Sequence, residues 1–172
     1  MRSPGRGVRW QPSQLAPEES SAPRQRRIIM VEMSGELNVL AVQLNRISEF
    51  NPTTRDYTLN SLRNALTEVT ACFPVYRTYV SGQPIEAVDR RYIDWAVAQA
   101  KKRSVTIETG VFDFLKDVLN LDILADTSTV YREAMVDFVM HFQQYTSPVM
   151  AKGLEDTSLY RYHRLISVNE VG

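Results

Sequence analysis

The residues best placed by type to do chemistry stand close together near the end of the chain. Lys152, Glu155 and Asp156 follow a short apolar run (Val149, Met150, Ala151) and Gly153, and Tyr160-Arg161-Tyr162-His163-Arg164 comes directly after them. Polar residues at the carboxyl end of a strand are where barrel and open-sheet enzymes place their reacting groups. If Val149–Ala151 is a strand, neighbouring Glu155 and Asp156 project to opposite faces. They cannot then be the facing carboxylates, about 5 Å apart, that a retaining glycosidic site requires. At most one acts, with partners from elsewhere. Asp156 also reads as the N-cap of a short helix through Tyr160, with Thr157 assisting, and the residues alone leave both readings open. His163 among Tyr160 and Tyr162 suits either a stacking platform for a sugar or base or a packed aromatic cluster. His141 reads as a helix-surface residue beside an apolar stripe.

Several other chemistries are absent. Cys72 is the sole cysteine, so neither an internal disulfide nor a thiolate zinc site can form, which fits a reducing cytoplasm. No Gly-rich phosphate loop, His/Cys metal spacing or Ser/His/Asp set is visible. Twenty basic residues balance twenty acidic ones, so no net field draws the whole chain toward nucleic acid or anionic lipid. No apolar run approaches the roughly 18 residues that span a bilayer. The expectation is a soluble cytoplasmic chain with neither nucleic acid nor membrane as partner.

The elements that must position these groups read as helices. At 172 residues the chain is long enough for one domain with a hydrophobic core. Residues 1–25, with four prolines and basic Arg2, Arg6, Arg9 and Arg24, read as a disordered Pro-rich tail; a basic nucleic-acid-binding arm is the functional alternative. From about Arg26, Met30, Met33, Leu37, Leu40, Ala41, Leu44 and Ile47 recur at helical spacing up to Asn51-Pro52. Leu59, Leu62, Leu66, Val69 and Phe73 form a second stripe, ended by Pro74. Val75–Val80 suits a short strand or an extended link. Asp89 reads as the N-cap of a third helix through Arg103, and a fourth spans Glu108–Asn120. Capping oxygens at Asp126–Thr129 open a fifth with Met135, Phe138, Val139 and Phe142 inward. The fold expected is mainly α: a bundle-like helical region of about five amphipathic helices over residues 26–146, then a strand or loop segment over 147–172.

Particular stretches resemble a known family. They include Ser34-Gly35-Glu36-Leu37-Asn38-Val39-Leu40-Ala41, Arg55-Asp56-Tyr57-Thr58-Leu59-Asn60-Ser61-Leu62, Ala71-Cys72-Phe73-Pro74-Val75-Tyr76-Arg77-Thr78-Tyr79 and Asp89-Arg90-Arg91-Tyr92-Ile93. The most specific runs from Phe142-Gln143-Gln144-Tyr145-Thr146 through Pro148-Val149-Met150-Ala151-Lys152-Gly153-Leu154-Glu155-Asp156-Thr157 to Tyr160-Arg161-Tyr162. In order and over about residues 26–172, these resemble maltooligosyltrehalose synthase, an isomerase of the α-amylase family of glycoside hydrolases.

The resemblance implies a longer enzyme with a catalytic (β/α)₈ barrel and inserted domains. That enzyme turns the reducing-end α-1,4 link of a maltooligosaccharide into an α,α-1,1 link, for trehalose biosynthesis, without a redox or metal cofactor. It implies that residues 26–146 correspond to an inserted helical domain and 147–172 to the return toward a late barrel strand. Asp156 would match the transition-state-stabilising carboxylate, and Lys152, Glu155 and Arg161 would be substrate-binding neighbours. The family's nucleophile and acid/base find no match here, so the expectation is an inactive internal fragment. The alternative is a free-standing helical interaction module, self-associating through apolar faces orphaned from the barrel.

Overall fold

The computed structural model describes residues 21–82, 84–122 and 128–169, with the side chains of 22–153 within those bounds. Six helices run through them: α1 (Ser21–Val31), α2 (Ser34–Glu49), α3 (Leu59–Ala71), α4 (Ala87–Arg103), α5 (Thr109–Leu119) and α6 (Thr129–Asn169), and no strand occurs among the described residues. The architecture is therefore mainly helical, as the periodicity indicates. α3 lies at the centre, packed on α1, α2, α4 and α5, while α6 closes the bundle against α1, α2 and α5.

One stripe on each helix builds the core. Leu37, Leu40, Leu44 and Ile47 of α2 meet Leu62, Ala65, Leu66 and Val69 of α3. From α6, Met135, Phe138, Val139 and Phe142 are all buried. Phe142 meets Phe73 edge-on at 5.5 Å between ring centroids and lies 6.4 Å from Phe138. Paired aromatic rings of this kind add to the stabilisation from the apolar surface they bury.

Four local expectations change. α1 begins at Ser21 with Ala22 and Gln25 buried, so helix reaches into the last five residues of the segment expected as tail; residues 1–20 lie outside the described ones. The single helix expected from Arg26 to Phe50 is two, broken at Glu32–Met33, where both backbone N–H groups donate to the Ile28 carbonyl. That break turns Met30 outward, half exposed, while Met33 stays buried. Asp89 is not an N-cap. Glu86 holds that position without a side-chain bond, and Asp89 is buried in the first turn, its Oδ2 accepting from the Tyr79 N–H at 3.1 Å.

The fourth change matters most for function. The strand or loop expected from Pro148 onward is not there: α6 continues through Pro148 to Asn169. Phe142, Tyr145, Thr146, Val149, Met150 and Gly153 are buried at three- and four-residue steps, so the helical stripe carries on past the proline. Burying those side chains against α1 and α2 outweighs a missing helical hydrogen bond and the ring clash, together about 3 kcal/mol. A strand would send alternate residues of that stripe into water.

Val75–Val80 is an extended link without a partner strand. Side chains take the partner's place. The buried Gln143 amide accepts from Val80 N–H at 2.6 Å and donates to Val80 C=O at 2.9 Å. Thr146 and Ser147 hydroxyls donate to the Tyr76 carbonyl at 3.0 and 3.2 Å.

Candidate functional site

α6 carries every residue proposed for chemistry. Lys152 is exposed and its Nζ lies 2.8 Å from Glu32 Oε2, just beyond the end of α1. The side chains of Glu155, Asp156 and Arg161 lie outside the described residues, as do those of Tyr160, Tyr162 and His163. Their backbone is helical, so Lys152, Glu155 and Asp156 do not stand at the end of a strand. The geometric objection to Glu155 and Asp156 acting together assumed a strand and no longer applies in that form.

The face of α6 one to three turns earlier forms a recess with α2. Buried Met33, Leu40 and Tyr145 make its floor, and exposed Glu36, His141 and Gln144 its rim, around a cavity of about 290 Å³. The Tyr145 hydroxyl donates to the Met33 carbonyl at 3.3 Å. Burial raises the Tyr145 hydroxyl pKa, the Glu36 carboxylate adds to the rise, and Arg63 opposes it, so it remains a donor at neutral pH. His141 Nδ1 lies 2.8 Å from the Gln43 amide nitrogen, tying α6 to α2 beside the recess. Its exposed place beside the apolar stripe agrees with the sequence reading.

Sequence reasoning did not find this recess. Glu36 and Gln144 are more than a hundred residues apart in the chain, and neither residue type stands out in its own helix. The one local sign was Pro148, a helix-interior proline that lines the same recess.

A second recess of about 220 Å³ lies where α1, α3 and α4 meet, lined by Ala22, Arg26, Glu68 and Arg103. It is occupied by an ion pair of its own, Arg26 Nη1 to Glu68 Oε1 at 3.1 Å. Cys72 is buried nearby. No group of three or more His, Cys, Asp or Glu side chains that could hold a metal occurs among the described residues. Nor is any described helix long and apolar enough to cross a membrane.

No family model, curated protein or solved structure matches the chain.

Proposed function

We propose that this chain is the helical portion of an α-amylase-family isomerase that rearranges the reducing-end α-1,4 link of a maltooligosaccharide into an α,α-1,1 link in cytoplasmic trehalose biosynthesis. The reading is supported by the resemblance of the stretches given above, over about residues 26–172, to maltooligosyltrehalose synthase, most specific from Phe142 through Thr157 to Tyr160-Arg161-Tyr162. The helical fold over 26–146 suits the role of an inserted helical domain. In this reading Asp156 stabilises the positive charge that develops at the anomeric carbon, and Lys152, Glu155 and Arg161 hold hydroxyls of the neighbouring glucose units. The reaction itself also needs a nucleophile and an acid/base that this chain does not match. The chain alone is therefore inactive, and its partner molecule is a maltooligosaccharide only within the complete enzyme.

Two measurements test this. Purified chain incubated with maltopentaose should leave the reducing ends intact; a non-reducing product that disappears in Asp156→Asn would show that the site is complete here after all. Coding sequence on either side of residues 1 and 172 should read as barrel strands and helices, and unrelated sequence there removes the reading.

One observation favours a second reading, a helical interaction module. Val31, Val39, Phe50, Val105 and Val130 are all more than half exposed, and apolar side chains left on a surface promote association. A clean monomer on size exclusion at high concentration counts against self-association through them.

A further inference from the structure

We infer that the recess where α1, α3 and α4 meet is a binding site for a short 2-hydroxycarboxylate, a monoanion of the size of lactate. Its walls follow from helical spacing. Ala22 and Arg26 lie four residues apart on α1, and Glu68 and Ala71 three apart on α3, so each pair shares a face of its helix. All four line the recess, with Pro23 beside them and Arg103 contributed by the last residue of α4. The short side chains of Ala22 and Ala71, both buried, leave about 220 Å³ open between the helices.

Charge and unused hydrogen-bonding capacity select the ligand. Glu68 is the buried member. Its side chain is only 10% exposed, and Arg26 Nη1 bonds one of its oxygens, Oε1, at 3.1 Å. The other oxygen, Oε2, bonds to no described residue, although a carboxylate accepts up to about four hydrogen bonds. Arg103 is exposed and has no ion-pair partner among the described residues. Lys101 and Lys102 also stand in the last turn of α4, so the negative end of that helix has cations without it.

Two guanidiniums against one carboxylate leave the recess with one positive charge in excess, which a monoanion cancels. The planar fork of a guanidinium matches a carboxylate. Glu68 Oε2 can only accept, so the ligand also needs a donor, and a hydroxyl supplies one without adding charge. A dianionic phosphate would set its second charge beside Glu68. An amino acid, neutral overall, would leave the excess uncancelled. Ala22, Pro23 and Ala71 offer carbon to the methyl group of a short acid. The volume lies below the roughly 300–1,000 Å³ of pockets for drug-sized ligands, so only a few heavy atoms fit. In the bound state Arg103 holds the carboxylate and Glu68 Oε2 accepts from the 2-hydroxyl. Neither the site nor its ligand depends on the glucan reaction proposed above.

The test is titration of the isotopically labelled full chain with sodium lactate at fixed ionic strength, followed by amide and arginine side-chain NMR. Saturable shifts are expected over residues 22–26, 68–71 and 103. Propionate, which lacks the hydroxyl, and 2-methoxypropionate, whose ether oxygen cannot donate, should each bind about tenfold more weakly, the loss of one hydrogen bond to a charged acceptor. Arg103→Gln should raise the Kd for lactate by about tenfold or more; its side chain is exposed, so the fold should survive, and circular dichroism checks it. Glu68→Gln should abolish the preference for lactate over propionate. If that variant does not fold, the 2-methoxypropionate comparison on the wild-type chain reads the same contact. Equal binding of lactate, propionate and 2-methoxypropionate overturns the role of Glu68 and with it the ligand. Tighter binding of inorganic phosphate or of alanine at these residues overturns the 2-hydroxycarboxylate assignment. No saturable shift with lactate, or shifts unmoved by Arg103→Gln, overturns the site.

Discussion

The side-chain amide of Gln143 serves Val80 as a neighbouring strand would, accepting its N–H at 2.6 Å and donating to its C=O at 2.9 Å. Both residues are buried, so neither backbone group has water to fall back on. A buried polar group left without a partner costs about 1–3 kcal/mol. Gln143→Leu orphans two at once. We expect it to lower unfolding free energy by about 2–4 kcal/mol, read from urea denaturation at unchanged slope. The same substitution should loosen Tyr76–Val80, seen as faster amide exchange there than in α3. A loss below the error of the measurement would show that the link is held by Thr146, Ser147 and Asp89 alone.

Gly35 offers the opposite sign. It sits in the first turn of α2, no atom lies within 4 Å of where a Cβ would go, and its φ is not positive. Gly35→Ala removes backbone freedom from the unfolded chain without a clash, and is expected to stabilise by about 0.5–1 kcal/mol. The rise in Tm should come without change in the circular dichroism of the native state. A fall in Tm would mean that the turn at Glu32–Met33 needs glycine beside it.

What the sequence made legible, and what it did not, divides by range. The stripes Leu62-Leu66-Val69 and Phe112-Leu115-Val118 lie within single helices, and all six residues are buried as their spacing demands. Met30 and Leu59 fit the same local spacing yet are about half exposed, because a helix break and a helix end turned them away from the core. Pro148 misled for a related reason. Its local penalty is plain in sequence, but the burial of Val149 and Met150 against α1 and α2 that overcomes it is tertiary. Within the candidate site, the Lys152–Glu32 pair and the Glu36–Gln144 recess join residues more than a hundred positions apart, and no local pattern encodes them. Lys152 was marked by its neighbours in the chain; Glu36, His141 and Gln144 had no such marker.

Lys152 is expected to matter little for stability. Its pair with Glu32 leaves both side chains nearly half exposed, at 45% and 46%, and exposed ion pairs contribute on the order of 0–1 kcal/mol. Lys152→Met should therefore shift the urea midpoint only slightly, with the shift shrinking further in high salt. A loss of several kcal/mol would reveal that the amine anchors α6 to the end of α1 more firmly than an exposed pair can. It would also weaken the case that its ammonium is available to hydroxyls of a sugar.

Cys72 gives the chain a dependence on alkaline pH whose sign can be worked out. Burial pushes its thiol up from the ordinary 9.0 to about 11, with Arg103 opposing and Glu68 adding to the rise. Below pH 9 the thiol is protonated in both folded and unfolded chains, and its contribution to stability is fully present. Between 9 and 11 the unfolded chain releases the proton while the folded chain keeps it, so folding binds a proton and stability falls as pH rises. The total loss should approach about 2–3 kcal/mol near pH 11. Tyr145 and Tyr131, whose hydroxyls are also raised by burial, extend the decline above pH 10. In Cys72→Ala the slope between pH 9 and 10 should flatten while the steeper fall above it persists. Alkylation by iodoacetamide at pH 8 should label the wild-type thiol only as denaturant opens the fold. Rapid labelling of the native chain would mean that the α3 end breathes often enough to expose Cys72, and the slope attributed to it would then vanish.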